Sequence, residues 1–165
     1  DFMVQKATEL GVSKIWPVQS EFGQQKHIRE DKLRANMIEA AEQTERFDLP
    51  EIGKFMPLQI VLDNWPKDRV LIVCDETKSE GGHVHSMLQL NGKLTQKSAI
   101  LIGPEGGFSA LEREHLHIHP MCESVSLGPR ILRSDTAAIA ALSIFQSNFG
   151  DWYKTPADFN DEEQN

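Results

Sequence analysis

The stretch AILIGPEGGF, residues 99–108, joins four apolar residues to a loop rich in glycine and proline. Residues 99–102 have the length and composition of a buried β-strand. Glycine lets a backbone approach a ligand closely, and proline stiffens the loop that carries it. Ser109 and Glu112 then follow with the S-x-x-E spacing of a capping box, which predicts that a helix begins directly after the loop.

A second loop of this kind, LGPRILR, occupies residues 127–133. It follows a short predicted strand at 124–127 and precedes another predicted helix. The apolar run at 70–74 predicts a third strand with a loop after it. Ligands bind beyond the carboxyl ends of the strands in an open parallel sheet, so we expect the three loops to lie together.

Short β-branched runs alternate with helical patterns elsewhere, which predicts an α/β domain with a mostly parallel sheet. One further strand is predicted at 15–18, where Pro17 favours an early end. The last helix should be capped by Ser134 or Asp135. The remaining predictions are helices at residues 1–10, 30–47, 58–65, 84–90 and 109–117, and a buried face on the last helix made of Ile139, Leu142, Phe145 and Phe149.

The 165 residues suit one domain, for which we take residues 1–150, followed by an acidic tail at 151–165. The formal net charge is −8. The tail contains five acidic residues and one lysine, a net charge of −4, which leaves −4 for residues 1–150. Strong non-specific binding to RNA is therefore not expected, and contact with RNA must be local or helped by another domain or subunit.

Several classes of protein fit the sequence poorly. No apolar run has membrane-spanning length, and the first residues do not resemble a signal peptide. Cys74 and Cys122 are too few for a zinc cluster or a disulfide framework, so we expect free thiols, no metal and a cytoplasmic protein. The phosphate-binding, dinucleotide-binding and nucleophile-elbow motifs are absent. Each Gly-rich loop could be an ordinary tight turn. Two of them after strands favour a ligand site without identifying the ligand, although free backbone groups of this kind can bind a flat heterocycle such as adenine.

Four blocks of the sequence resemble one bacterial family, which methylates N3 of a decoding-centre uridine in 16S ribosomal RNA. The blocks lie in the family's order over nearly the whole chain, and the last two are highly specific as a pair. They are KATELGV at 6–12, EAAEQ at 39–43 with Arg46, IGPEGG at 102–107 with Glu112, and LGPRILR at 127–133 with Thr136 and Ala137.

The resemblance implies a SPOUT fold with a trefoil knot near the C-terminus, a homodimer, and S-adenosylmethionine as the cofactor. The substrate would be 16S ribosomal RNA or the small ribosomal subunit. Ordinary topology rules would not predict a knot. The family also carries an N-terminal RNA-binding β-barrel, whereas this sequence begins inside the methyltransferase domain, so we expect cofactor binding but weak methylation from residues 1–165. Asp135 stands where the family usually has glutamate, which leaves a capping role open to it.

The resemblance also implies which residues form the site. Glu105 could lie near the cationic sulfonium or cap the following helix. The cofactor pocket would be lined by Ile102, Gly103, Pro104, Glu105, Gly106, Gly107, Leu127, Gly128, Ile131, Leu132, Thr136 and Ala137.

Arg133 is the first candidate for catalysis and Arg130 the second, because a guanidinium would stabilise the anion that uridine forms when N3 loses its proton. Either could instead contact a phosphate or pair with a carboxylate. Gln43 and Arg46 lie three residues apart on one predicted helix, hence on one face, which could contact RNA, the dimer partner or only solvent. No residue is assigned as the general base.

Two alternatives remain open. The first is a SPOUT methyltransferase with another target, such as a ribose 2′-hydroxyl or a tRNA guanine. The second is a non-catalytic RNA-binding module in ribosome assembly that keeps the fold. Mapping of the methylated atom separates the enzymes from each other, and calorimetry with S-adenosylmethionine separates both from the module.

Overall fold

The computed structural model describes residues 2–75, 86–95 and 97–154. Helices and short strands alternate along them. The helices are α1 (Phe2–Glu9), α2 (Glu30–Gln43), α3 (Leu58–Asp63), α4 (Ala110–Ile118) and α5 (Ser134–Asn148), with a 3-10 helix at Met87–Leu90. The strands are β1 (Lys14–Ile15), β2 (Val18–Gln19), β3 (Glu51–Ile52), β4 (Met56–Pro57), β5 (Leu71–Cys74), β6 (Ala99–Ile102) and β7 (Cys122–Val125).

The central sheet has three parallel strands in the order β6-β5-β7. All four residues of β5 are buried, as expected for an inner strand that is covered on both faces. Ile72 and Cys74 belong to one core cluster, together with residues of α5 and the 3-10 helix. Leu71 and Val73 belong to a second cluster, together with residues of α3 and α4. The prediction of an α/β fold with a parallel sheet between helices is therefore confirmed.

Two pairs of very short parallel strands, β1 with β3 and β2 with β4, accompany this sheet. The predicted strand at 15–18 is interrupted at Trp16 and Pro17, because proline has no N–H for the ladder. The indole N–H of Trp16 donates to the Lys54 carbonyl oxygen at 2.9 Å, and its ring lies against Gly53. β3 and β4 were not predicted, since two residues are too few to show a period.

Three predicted boundaries are wrong. α2 ends at Gln43 instead of residue 47, because Glu45 adopts a left-handed φ of 56° that an α-helix cannot contain. α3 ends at residue 63 instead of residue 65. β7 begins at Cys122, two residues earlier than predicted, because Cys122 lies opposite Leu71 in the register with β5.

The predicted cap and buried face of the last helix also need correction. Arg133 occupies the N-cap position of α5 and makes no side-chain cap hydrogen bond, so neither Ser134 nor Asp135 caps this helix. The Asp135 carboxylate instead accepts a hydrogen bond from the Thr136 N–H at 2.8 Å. Small residues dominate the buried face, and they let the helix approach the sheet closely. The buried residues are Ala137, Ala138, Ala141, Phe145 and Gln146, instead of a face that includes Ile139 and Leu142.

Residues 151–154 form a turn after α5, in which the Lys154 N–H donates to the Asp151 carbonyl oxygen at 2.8 Å. The rest of the predicted acidic tail, at 155–165, lies outside the described residues, as do residues 76–85, where the loop after β5 and the start of the helix predicted at 84–90 fall. Within the described ranges, no helix has the length and apolar character needed to cross a membrane.

Candidate functional site

The carboxyl ends of the three central strands lie level at one edge of the sheet. Cys74, the last residue of β5, is in register with Ile102 on one side and with Val125 on the other. The loops that follow β6 and β7 therefore leave the sheet from the same edge, with the end of β5 between them. This edge is where a parallel α/β sheet binds its ligand.

The 103–108 loop is a tight turn held down by an aromatic ring. The Gly107 N–H donates to the Pro104 carbonyl oxygen at 2.8 Å, and Gly107 has a φ of +68°, which favours glycine. Phe108 is only 1% exposed and belongs to the core cluster of α3 and α4. A Cβ at Gly103 would lie 3.1 Å from this ring, so Gly103 allows the loop to fold directly over it.

The predicted capping box after this loop is confirmed. The Glu112 carboxylate accepts the Ser109 N–H at 2.9 Å, and the Ser109 hydroxyl accepts the Glu112 N–H at 3.3 Å. The second carboxylate oxygen of Glu112 accepts the N–H of Glu21 at 2.8 Å. Glu112 thus ties the start of α4 to a segment that lies ninety-one residues away in sequence, a contact that no local pattern predicts.

The 126–133 loop has an open, left-handed turn at its start. The Ser126 hydroxyl accepts the Gly128 N–H at 3.1 Å and donates to the Gly128 carbonyl oxygen at 3.2 Å. Gly128 has a φ of +123°, and among the described residues, apart from its two chain neighbours, no heavy atom lies within 4 Å of the position that its Cβ would take. The backbone around Gly128 is therefore accessible to a ligand.

A side-chain hydrogen bond joins the 103–108 loop to the first residue of α5, directly after the 126–133 loop. The Ser134 hydroxyl donates to the Glu105 carboxylate at 2.9 Å. The pKa of Glu105 is lowered, first by a hydrogen bond from its own backbone N–H and then by Ser134; the positive charge of Arg133 acts in the same direction, and Asp135 opposes it. Glu105 is therefore a carboxylate at neutral pH, close to the positive charge of Arg133.

The structure brings most of the predicted cofactor residues to this edge, but with different exposure. Leu127 packs against the core cluster of α5, and Ala137 is buried. Ile131 is 81% exposed, which is unusual for an isoleucine and leaves its side chain available for contact. The other predicted cofactor residues are half-buried or exposed, the exposed ones being Glu105, Gly106, Gly128 and Thr136 and the half-buried ones Ile102, Gly103, Pro104, Gly107 and Leu132. The two catalytic candidates, Arg130 and Arg133, are both exposed.

The prediction that Gln43 and Arg46 share one helical face is wrong, because α2 ends at Gln43. The guanidinium of Arg46 turns inward and donates to the carbonyl oxygens of Thr8 and Val12, both at 2.8 Å. It also makes two hydrogen bonds to the Asp48 carboxylate. Four of the five guanidinium N–H donors are thus used inside the protein, and Arg46 holds the end of α1 against the segment after α2.

Arg113 of α4 is a further residue at this edge that the sequence analysis missed. Its Nε lies 3.3 Å from the Asp75 carboxylate without hydrogen-bond geometry, so the contact is an ion pair. A Cβ at Gly107 would lie 3.2 Å from its guanidinium. Arg113 therefore stands between the end of β5 and the 103–108 loop. No cluster of three or more metal-ligand side chains occurs in the part of the chain that the structure describes.

Comparison with known proteins places the chain in a family. A family model described as an RNA methyltransferase domain matches residues 1–146. Ribosomal RNA small subunit methyltransferase E of Rickettsia conorii is 34% identical over 141 residues, covering 85% of this chain and 56% of that protein. The enzyme of the same name from Bacillus subtilis is 32% identical over 151 residues, covering 87% and 59%. The chain belongs to this family of RNA methyltransferases.

Solved structures agree with this assignment. A methyltransferase of Legionella pneumophila, solved with the cofactor SAM bound, is 31% identical with a TM-score of 0.74, and the match covers 88% of this chain and 60% of that one. Ribosomal RNA small subunit methyltransferase E of Neisseria gonorrhoeae, bound to S-adenosylmethionine, is 27% identical with a TM-score of 0.78, covering 92% and 62%. The chain thus spans less than two thirds of the length of these relatives.

Proposed function

We propose that this protein transfers a methyl group from S-adenosylmethionine to small-subunit ribosomal RNA, and that the target atom is N3 of a decoding-centre uridine. The observation that carries the proposal is the pair of loops at the carboxyl edge of the sheet, joined by Ser134 and Glu105, in a chain of the RNA methyltransferase family. The family relatives support ribosomal RNA as the substrate, and the resemblance described above supports the uridine.

The two loops suit a cofactor that has a flat adenine ring and a cationic sulfonium group. The backbone of Gly128 is accessible, and the exposed Ile131 offers an apolar surface of the kind that binds an aromatic face. The Glu105 carboxylate offers a negative charge for a cationic group. When bound, S-adenosylmethionine supplies an electrophilic methyl group. We assign its binding to residues 102–107, to Leu127, Gly128, Ile131 and Leu132, and to Thr136 and Ala137 at the start of α5.

Arg133 is proposed as the catalytic residue, with Arg130 second. Uridine N3 is an imide nitrogen that carries a proton at neutral pH, so it becomes nucleophilic only as that proton leaves. A guanidinium beside the neighbouring carbonyl oxygens would stabilise the resulting anion. Arg133 is exposed and directly precedes Ser134, whose hydroxyl donates to the Glu105 carboxylate. The lowered pKa of Glu105 makes this carboxylate a weak base, so its proposed role is electrostatic and not proton removal.

Four further properties belong to the same proposal. They are a trefoil knot near the C-terminus, a homodimer, a methyltransferase domain made of residues 1–150, and a cytoplasmic location. The first two rest on the family resemblance, and light scattering of the purified protein tests the dimer directly.

The experiment has two parts. Calorimetry with S-adenosylmethionine should show binding, and incubation with 16S ribosomal RNA or small subunits should place one methyl group. N3 methylation blocks the Watson–Crick edge and stops reverse transcription, whereas a ribose 2′-O-methyl group gives resistance to alkaline cleavage. Absence of heat with S-adenosylmethionine would favour the assembly module, and a methyl group on another atom would replace the proposed target.

A further inference from the structure

Residues 22–29 form a segment that begins beside the 103–108 loop and continues to the start of α2. We propose that this segment, which we name the entry arm, is the surface on which single-stranded RNA reaches the methyl-transfer site. The inference rests on the proposed function and specifies where the RNA binds.

The entry arm is fixed to the cofactor loop at its first residue. A Cβ at Gly106 would lie 3.0 Å from the Cβ of Phe22, so the two backbones are in close contact there. The preceding peptide is held by the hydrogen bond from the Glu21 N–H to Glu112, and the Gly23 N–H closes a turn onto the Ser20 carbonyl oxygen at 3.1 Å. Phe22 therefore has a defined position beside the loop, although half of its surface is exposed.

The charge of the entry arm differs from that of the whole chain. The protein has a net charge of −8, yet residues 22–29 contain Lys26 and Arg29 and no acidic residue. Lys26 is exposed, and Arg29 is exposed in an ion pair with Asp31 at 2.9 Å. An exposed pair of this kind is weak, so a phosphate can replace the carboxylate. Exposed Gln24 and Gln25 between the ring and the basic residues can both donate and accept hydrogen bonds.

An aromatic ring followed by amides and cations on an exposed segment matches what single-stranded RNA requires. Bases stack on aromatic rings, and the backbone follows positive side chains. A nucleotide that must leave its neighbours to be methylated has a free face for such a ring. The position of Phe22 at Gly106 places this stacking surface directly beside the proposed cofactor loop. By contrast, four N–H donors of Arg46 form hydrogen bonds within the protein and are therefore not available to RNA.

Fluorescence anisotropy with a labelled single-stranded oligouridine tests the proposal. Phe22→Ala should weaken binding by about 5- to 160-fold, which corresponds to the loss of one stacked base, and Phe22→Trp should retain it. Phe2→Ala is the matched control, because Phe2 is also 50% exposed but lies on α1. Lys26→Ala should reduce the slope of log affinity against log salt by about 0.7, the value for one phosphate contact on a single strand.

Calorimetry with S-adenosylmethionine on the same variants separates an RNA-binding effect from damage to the cofactor loop. We expect Phe22→Ala to bind S-adenosylmethionine as the unmodified protein does. Equal oligouridine affinity of Phe22→Ala and Phe2→Ala would overturn the proposal that the entry arm binds RNA. Absence of oligouridine binding by the unmodified protein would overturn it as well. If oligouridine binding depends on Phe22 but the protein transfers no methyl group to ribosomal RNA, RNA binding by the entry arm is supported and the proposed methyltransferase activity is rejected.

Discussion

The hydroxyl of Ser134, the first residue of α5, donates to the carboxylate of Glu105 at 2.9 Å, although the chain reaches the two residues from the non-neighbouring strands β7 and β6. Because β5 lies between β6 and β7, this hydrogen bond connects the segments on the two sides of β5. A ligand that contacts both loops therefore depends on it.

Ser134→Ala should weaken the binding of S-adenosylmethionine about fivefold, equivalent to about 1 kcal/mol for one hydrogen bond of this kind. Ser147→Ala is the control, because this exposed serine lies on the same helix, donates to the Ile144 carbonyl oxygen in its own turn and accepts from the side chain of the adjacent Asn148. Calorimetry on both variants makes the comparison. Equal affinities would show that the contact between the loops does not support the cofactor.

Gly106→Val should abolish cofactor binding, because the new Cβ would lie 3.0 Å from the Cβ of Phe22 and push the loop away from the entry arm. Gly106→Ala brings the same Cβ without the two methyl groups, so we expect a smaller loss. The double variant Gly106→Val/Phe22→Gly should recover part of the affinity, since glycine at position 22 removes the opposing Cβ together with the ring. Calorimetry measures all three, and no recovery would place the clash elsewhere.

Arg133→Ala should abolish methyl transfer while leaving the affinity for S-adenosylmethionine within about tenfold, or about 1.4 kcal/mol. The reason is that the guanidinium is proposed to stabilise the uridine anion and not to hold the cofactor. Arg130→Ala should retain more activity. Single-turnover methylation of 16S ribosomal RNA measures the step, and near-normal turnover of Arg133→Ala would remove this residue from the mechanism.

Arg46→Ala should lower the free energy of unfolding by about 1–3 kcal/mol, because the carbonyl oxygens of Thr8 and Val12 would lose their charged donor. Urea denaturation measures the change. Arg34→Ala is the control, since Arg34 is an exposed residue of α2. If Arg46→Ala loses RNA binding while its stability is unchanged, the hypothesis from the sequence that Arg46 contacts RNA would be supported again.

The same guanidinium predicts a pH dependence at Asp48. The hydrogen bond from Arg46 lowers the pKa of Asp48 below its usual value of 3.8. A carboxyl with a lowered pKa in the folded state stabilises the fold above its unfolded pKa, and the effect is lost as pH falls through the folded pKa. As the pH is lowered below about 3.8, the urea midpoint of the unmodified protein should therefore decrease more than the urea midpoint of Asp48→Asn. Parallel curves would show that the pair contributes nothing to stability.

Local signals in the sequence predicted a large part of the fold. The composition of Ala99–Ile102 predicted a strand, which is present although only Leu101 among its four residues is buried, and the spacing of Ser109 and Glu112 predicted the start of α4. The loops after β6 and β7 were expected at one edge, and the parallel register places them there. These features could be predicted because each depends on a few neighbouring residues and on one general rule about parallel sheets.

The missed features depend on distant contacts. Phe22 gains its position from Glu112 and Gly106, more than eighty residues away, and nothing near Phe22 in the sequence indicates either partner. Arg46 was assigned to a helical face because the spacing to Gln43 fits one, but the left-handed Glu45 ends the helix between them. Tertiary contacts decided both cases.

The position of β5 between β6 and β7 also sets a dimension. Hydrogen-bonded strands lie about 4.8 Å apart, so the two strands that carry the loops are separated by roughly 10 Å. The spacing of the strands therefore sets the width of the gap between the loops. Side-chain substitutions within the loops change which residues line that gap and leave its width unchanged.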